Sequence, residues 1–215
     1  MGAEPVIDAA DVGVRTYRGW VYSGFGLHAN AGQVIAIAGQ GGSGRTSVLL
    51  TLGGRMRASQ GSLHVCGHKL PRAAARVRAL TAVGRIGGAA ELEPGLRVTD
   101  HVRERALAGR VRPARNAFEA ALDVVKADLP PKHLVGQLKP WVATAFALTL
   151  AVMESRQLIL LDDLDAGADA DAQAWLWQAA RRVAETGPCV IATTTEGSFA
   201  DSVADQVVAL RPVML

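Results

Sequence analysis

The run Gly39-Gln40-Gly41-Gly42-Ser43-Gly44-Arg45-Thr46-Ser47 decides the fold. It matches the phosphate-loop pattern G-x-x-x-x-G-K-[ST] at every fixed position but one, where Arg45 stands in place of lysine. Before it, Gln33-Val34-Ile35-Ala36-Ile37-Ala38 reads as a buried strand; after it, Thr46 to Leu52 reads as a helix. Strand, glycine-rich turn and helix give the loop its context. Glycines let the backbone wrap closely around a triphosphate, with amide N–H groups and the positive end of the helix facing the anion. Gly39, Gly41, Gly42, Ser43, Gly44 and Ser47 are therefore the expected cradle. The Thr46 hydroxyl is expected on a magnesium ion and Arg45 on the β- and γ-phosphates of ATP. The same letters also fit a strand-to-helix turn without a ligand.

A second motif bears on that choice. Leu158-Ile159-Leu160-Leu161-Asp162-Asp163 is an uncharged strand ending in two carboxylates. P-loop NTPases use this pattern to set one acid, here Asp162, beside the metal and a second, here Asp163, beside the attacking water. A parallel strand followed by an Asx turn would read alike, but the two motifs together select an α/β P-loop NTPase.

Beyond these motifs, nearly the whole chain resembles the ATP-binding subunit of ABC transporters in the order and spacing of its segments. The resemblance implies a single domain over residues 1–215, with an antiparallel β subdomain and a helical subdomain at about 89–140. Val12 to Leu27 resembles the family's first antiparallel strands, with Tyr17 or Trp20 where an aromatic stacks on adenine; an aromatic there is also an ordinary strand residue. Ser62 to Cys66 resembles the next strand. Leu164-Asp165-Ala166-Gly167-Ala168-Asp169 is similar to the D-loop, and the last strand is expected near Leu210.

Besides Arg45, three positions and one segment depart from the family. Gly88 occupies the glutamine's place, Thr195 the switch histidine's, and Asp163 the catalytic glutamate's. The LSGGQ segment falls on Leu138-Lys139-Pro140-Trp141-Val142, which keeps the leucine and loses the serine and both glycines. Pro140 has no N–H to offer a phosphate, and Trp141 adds bulk. The resemblance gives Arg45, Asp163 and Thr195 the catalytic positions, Thr46 and Asp162 the metal, and implies a dimer of nucleotide-binding domains, homo- or heteromeric. Self-pairing puts every departure in both sites; pairing with an intact paralogue leaves neither site of consensus type.

Composition agrees with one α/β domain of 215 residues. Met1-Gly2-Ala3-Glu4-Pro5 does not read as a signal peptide, and the uncharged helix expected from Trp141 to Met153 is too short to span a bilayer. Cys66 and Cys189 are expected as buried strand residues in a reducing cytoplasm. The five histidines lack metal-ligand spacing and are expected at the surface or in strands. Residues 1–115 carry 16 Lys/Arg against 7 Asp/Glu, whereas residues 116–215 carry 7 against 13. The excess sits in Arg72, Arg76, Arg78 and Arg85 and in Arg97, Arg103, Arg105, Arg110, Arg112 and Arg115. These fit a solvated helix face, or else a docking surface for an integral membrane transporter subunit, with the protein peripheral on the inner face of the plasma membrane. Nucleic acid is not expected, because few aromatics are interleaved with the arginines.

Overall fold

The computed structural model describes residues 4–195, 197 and 199–212. In chain order the elements are β1 (Ile7–Thr16), β2 (Gly19–Ala29), β3 (Val34–Ala38), α1 (Arg45–Leu52), β4 (Gln60–Val65), β5 (His68–Lys69), α2 (Ala74–Leu80), β6 (Thr81–Arg85), α3 (Val98–Gly109), α4 (Ala114–Val125), α5 (Pro140–Val152), β7 (Leu158–Leu161), α6 (Ala170–Glu185), β8 (Cys189–Thr194) and β9 (Gln206–Ala209). They build an antiparallel sheet of order β2-β1-β4-β5 and a parallel sheet of order β6-β7-β8-β3-β9.

Strands β3 and β7 are apolar throughout because both their faces are covered. Ile35 and Ile37 of β3, with Leu158 and Leu160 of β7, join a core shared with α1 and the antiparallel sheet. Their neighbours Val34, Ala36, Ile159 and Leu161 point the other way, onto α5 and α6. Helix α5 also sends Phe146 and Leu150 into a third core with α3 and α4. This double burial explains why it carries no charge. No helix among the described residues is long and apolar enough to cross a membrane.

Three expectations change. Strand β4 ends at Val65, and Cys66 lies half-buried in the turn that follows. Cys66 and Gly67 both have positive φ, 48° and 74°, the pattern of a two-residue type I′ hairpin turn leading into β5. Burial pushes the Cys66 thiol up to about 11 and that of Cys189 to about 12, so neither ionises near neutrality. His101 is buried on α3 rather than exposed: its Nε2 lies 3.1 Å from the Glu93 carbonyl and its ring meets Phe146 edge-on. Arg105 is no solvated cation. Its Nη1 donates to the Val83 carbonyl and to Glu154, both at 2.9 Å, which pins α3 to β6 and to the end of α5.

The edge strand β9 is tied by a carboxylate. Asp205 accepts from the Val34 N–H at 2.7 Å and from Arg181 at 2.9 Å. Burial opposes its ionisation, but the hydrogen bond and charge of Arg181 and the Val34 N–H outweigh it and hold the carboxyl below the usual range. A depressed folded pKa gives stability that is present above the unfolded value of about 3.9 and lost as pH falls through the folded value. The carboxylate side chain is 33% exposed, so solvent limits the contribution to about 1 kcal/mol. Asp205→Asn should cost that much at pH 7 and progressively less as pH falls below the unfolded value, as measured by urea unfolding across that range.

Candidate functional site

Three neighbouring strand ends meet at one place. In the parallel sheet β8 lies between β7 and β3, so the acids that follow β7 and the glycine loop that follows β3 flank the end of β8. Ligands of open α/β sheets bind at such carboxyl ends. Gln40, Gly41 and Gly42 are exposed, and a Cβ on either glycine would meet nothing within 4 Å. Gly44 has φ +93°, and a Cβ there would come within 2.8 Å of the Val21 carbonyl oxygen. Only glycine turns the chain from the loop into α1 at that point. Ser43 is fully buried, and its hydroxyl is one of two buried side-chain polar atoms left without a partner among the described residues. A loop built to receive an acceptor oxygen carries such a donor.

Thr46 and Asp162, chosen from sequence as metal ligands, do come together. Thr46 Oγ1 donates to Asp162 Oδ2 at 2.7 Å. Neighbouring ligands of an octahedral magnesium shell, with bonds of 2.0–2.1 Å, lie about 2.9 Å apart, so this hydroxyl–carboxylate pair fits one edge of such a shell. Among the described residues no group of three His, Cys, Asp or Glu side chains could hold a metal alone. Two oxygens are what magnesium takes from a protein when phosphates and water supply the rest.

Arg45 points elsewhere than expected. Its Nη1 donates to Asp163 Oδ1 at 2.5 Å, with the guanidinium side chain 9% and the carboxylate 41% exposed. The cation meant for phosphate and the acid meant for water hold each other. Asp163 itself sits at φ +44°, in the left-handed region that aspartate tolerates better than most residues. The remaining positions are more peripheral. Thr195 is exposed in a bend just beyond β8, and Glu196, read with the same segment, lies outside the described residues, as do Met1, Gly2 and Ala3. Tyr17 is 90% exposed in the β1–β2 turn, with the Arg18 guanidinium 5.3 Å from its ring centre. Trp20 lies in β2 against Gly13, with Arg15 over its ring. Gly88, at φ +69°, takes its N–H to Glu91. Pro140 opens α5, and Trp141 packs edge-on against Trp175 at 5.5 Å.

Sequence reading missed what surrounds the acids. Thr193 and Thr194 are fully buried. The Thr194 hydroxyl donates to Asp165 Oδ2 at 2.8 Å, and the same oxygen accepts from the Trp177 indole at 3.1 Å. A signal was present: Thr193 and Thr194 close an otherwise apolar strand, and a doubly buried strand turns polar where it meets a polar site.

The family model described as ABC transporter matches residues 22–166. Among curated proteins the chain is 25% identical over 176 residues to the Nod factor export ATP-binding protein I of Burkholderia pseudomallei, covering 81% of this chain and 57% of that protein. It is 32% identical to the hemin import ATP-binding protein HmuV of Bradyrhizobium diazoefficiens, covering 95% and 79%. The chain thus spans little more than half the length of the Nod factor export proteins it matches. Among solved structures it superposes on cbiO1 from Clostridium perfringens, part of an ABC transporter complex, with TM-score 0.82 and 14% identity over 99% of this chain and 88% of that one. A dimeric bacterial ABC transporter cassette gives TM-score 0.77 and 17% identity, covering 96% and 94%. With its family match spanning the phosphate loop and both acids, and its sheets arranged as in those cassettes, the chain belongs to the ABC transporter family.

Proposed function

We propose that the protein binds Mg-ATP at the Arg45-containing loop and hydrolyses it slowly, as the ATP-binding subunit of a membrane transporter. The observation that carries the reading is the convergence of the glycine loop, Thr46 and Asp162 at one sheet end, with the hydroxyl and carboxylate 2.7 Å apart. Bound magnesium would neutralise charge on the phosphates, held by Thr46 and Asp162. Ser43 and the loop amides would orient the phosphates, and Tyr17 would stack on adenine. Asp163 would orient the water and take its proton as the water oxygen bonds to the γ-phosphorus and the bond to ADP breaks.

Slowness has named causes. Asp163 is a methylene shorter than glutamate, and a displacement on the order of 1 Å can cost ~10²-fold. Thr195 replaces a histidine donor, a type of loss that costs about 10²–10³-fold. The two need not multiply. Millimolar Mg-ATP should raise the melting temperature, since a ligand at a hundred times its Kd adds about 2.7 kcal/mol. Absence of any shift, in the wild type and in Arg45→Lys alike, would make the loop structural only. Asp162→Asn should weaken magnesium-dependent binding, and Asp163→Asn should lower the remaining ATPase rate. A second reading, a non-hydrolysing regulatory or scaffold subunit, is favoured by the Arg45–Asp163 pair, which engages the catalytic acid. Phosphate release measured with the membrane partner present separates the two.

The partner-binding face suits acidic cytoplasmic loops of a membrane subunit. A groove of about 880 Å³ between α2, β6 and α3 presents Arg55, Arg78, Arg105, Arg110 and Arg156 against Glu91, Glu104 and Glu154. Beside it, Leu107 is 75% exposed among Arg103, Arg110 and Arg112. Reversal of Arg103, Arg110 and Arg112 to glutamate should release the protein from membranes and remove the salt dependence of binding. Arg105 is left out because its bonds to Val83 and Glu154 are structural. The nucleotide-binding chains would pair as dimers, as the cassette noted above does.

A further inference from the structure

The end of β8 does more than fill space between the two motifs. Thr193 Oγ1 donates to Asp162 Oδ1 at 2.6 Å and accepts from the Asp163 N–H at 2.8 Å, and its carbonyl accepts from the Leu164 N–H at 3.0 Å. One residue thus engages three consecutive residues of the acidic segment. The side chain is fully buried, so water offers Asp162 and the Asp163 N–H no ready substitute for its hydroxyl. With Oδ1 held by Thr193, the Asp162 carboxylate turns Oδ2, and only Oδ2, toward Thr46. The second bond anchors Asp163 in the left-handed region, at φ +44°, which a residue other than glycine holds at some cost.

We propose that Thr193 is a positioning residue of the metal-nucleotide site, setting the rotation of Asp162 and the backbone of Asp163 through one hydroxyl. The inference rests on the Mg-ATP reading above and goes beyond it, since Thr193 belongs to neither motif and acts through Asp162 and Asp163. Outer-shell partners that orient a ligating carboxylate act on metal affinity by about 10–100-fold when removed. An aliphatic residue at 193 would fill the same volume, and valine differs from threonine only in having a methyl where the hydroxyl was.

The test is the magnesium enhancement of ATP binding, the ratio of affinities measured by calorimetry with excess magnesium and with EDTA. Thr193→Val should lower that ratio about tenfold, with affinity in EDTA little changed, and Thr193→Ser should restore it to within about threefold of wild type. Should the valine protein fail to fold, Thr193→Cys serves, because its thiol is a poor donor of similar size; it should fall between valine and serine. The proposal is overturned if valine leaves the ratio unchanged, or lowers affinity equally with and without magnesium, as a merely structural residue would. A wild-type protein that binds ATP with no magnesium enhancement overturns the metal reading of the site and this proposal with it. A normal wild-type ratio unmoved by valine overturns this proposal alone.

Discussion

Trp177→Ala is expected to destabilise the protein by about 4–5 kcal/mol, the upper end for aromatic truncation in a core. Trp177 is fully buried and is the largest side chain so enclosed. Its removal leaves a cavity between α6 and the parallel sheet, and it also strips the indole donor from Asp165, a buried carboxylate that accepts from the Thr194 hydroxyl as well. Loss of a donor to a buried charged group adds about 1.5–3 kcal/mol to what the cavity alone would take. Trp177→Phe keeps most of the volume and should lose mainly the hydrogen-bond part. Urea unfolding of both variants separates the two contributions; a Trp177→Phe protein as stable as wild type would show that Asp165 is indifferent to the indole.

The second large effect is on binding. Arg45→Ala should lower ATP affinity by about 10²-fold, the loss of charge-assisted bonds worth about 1.5–3 kcal/mol. Arginine is chemically suited to the place in a way that lysine is not, because its fork can exchange Asp163 for a phosphate oxygen without losing either planarity or charge. Arg45→Lys loses the fork but keeps the charge, and should retain affinity to within about tenfold. Titration with a fluorescent ATP analogue reads both variants, and unchanged affinity in Arg45→Ala would mean that the guanidinium serves only Asp163.

Local pattern made much of this legible, and its failures are physical. Strand β3, helix α1 and strand β7 follow from uninterrupted apolar runs beside motifs with fixed spacing, so Thr46 and Asp162 could be paired across 116 residues of chain. Helix α5 was recognisable as buried from its lack of charge, though not that it serves two cores at once. The Arg45–Asp163 contact was not legible, because a motif assigns each residue a partner in the liganded state and says nothing of what the two charges do to each other. Thr193 and Thr194 were missed for a different reason. Their role depends on β8 lying between β7 and β3, a matter of strand order rather than of any local spacing. The burial of His101 and Arg105 is not legible either, because burial of a polar residue depends on a distant acceptor, a backbone carbonyl in one case and Glu154 with the Val83 carbonyl in the other.

The central claim is that this loop binds Mg-ATP and that the phosphates must draw Arg45 away from Asp163 to do so. Calorimetric titration of Mg-ATP into wild type and Asp163→Ala tests both halves at once. The ion pair is partly exposed, so its release should be worth about 1.4 kcal/mol, and the variant is expected to bind about tenfold more tightly than a wild type that itself binds measurably. Failure of either protein to bind Mg-ATP, or weaker binding by Asp163→Ala, would contradict the account.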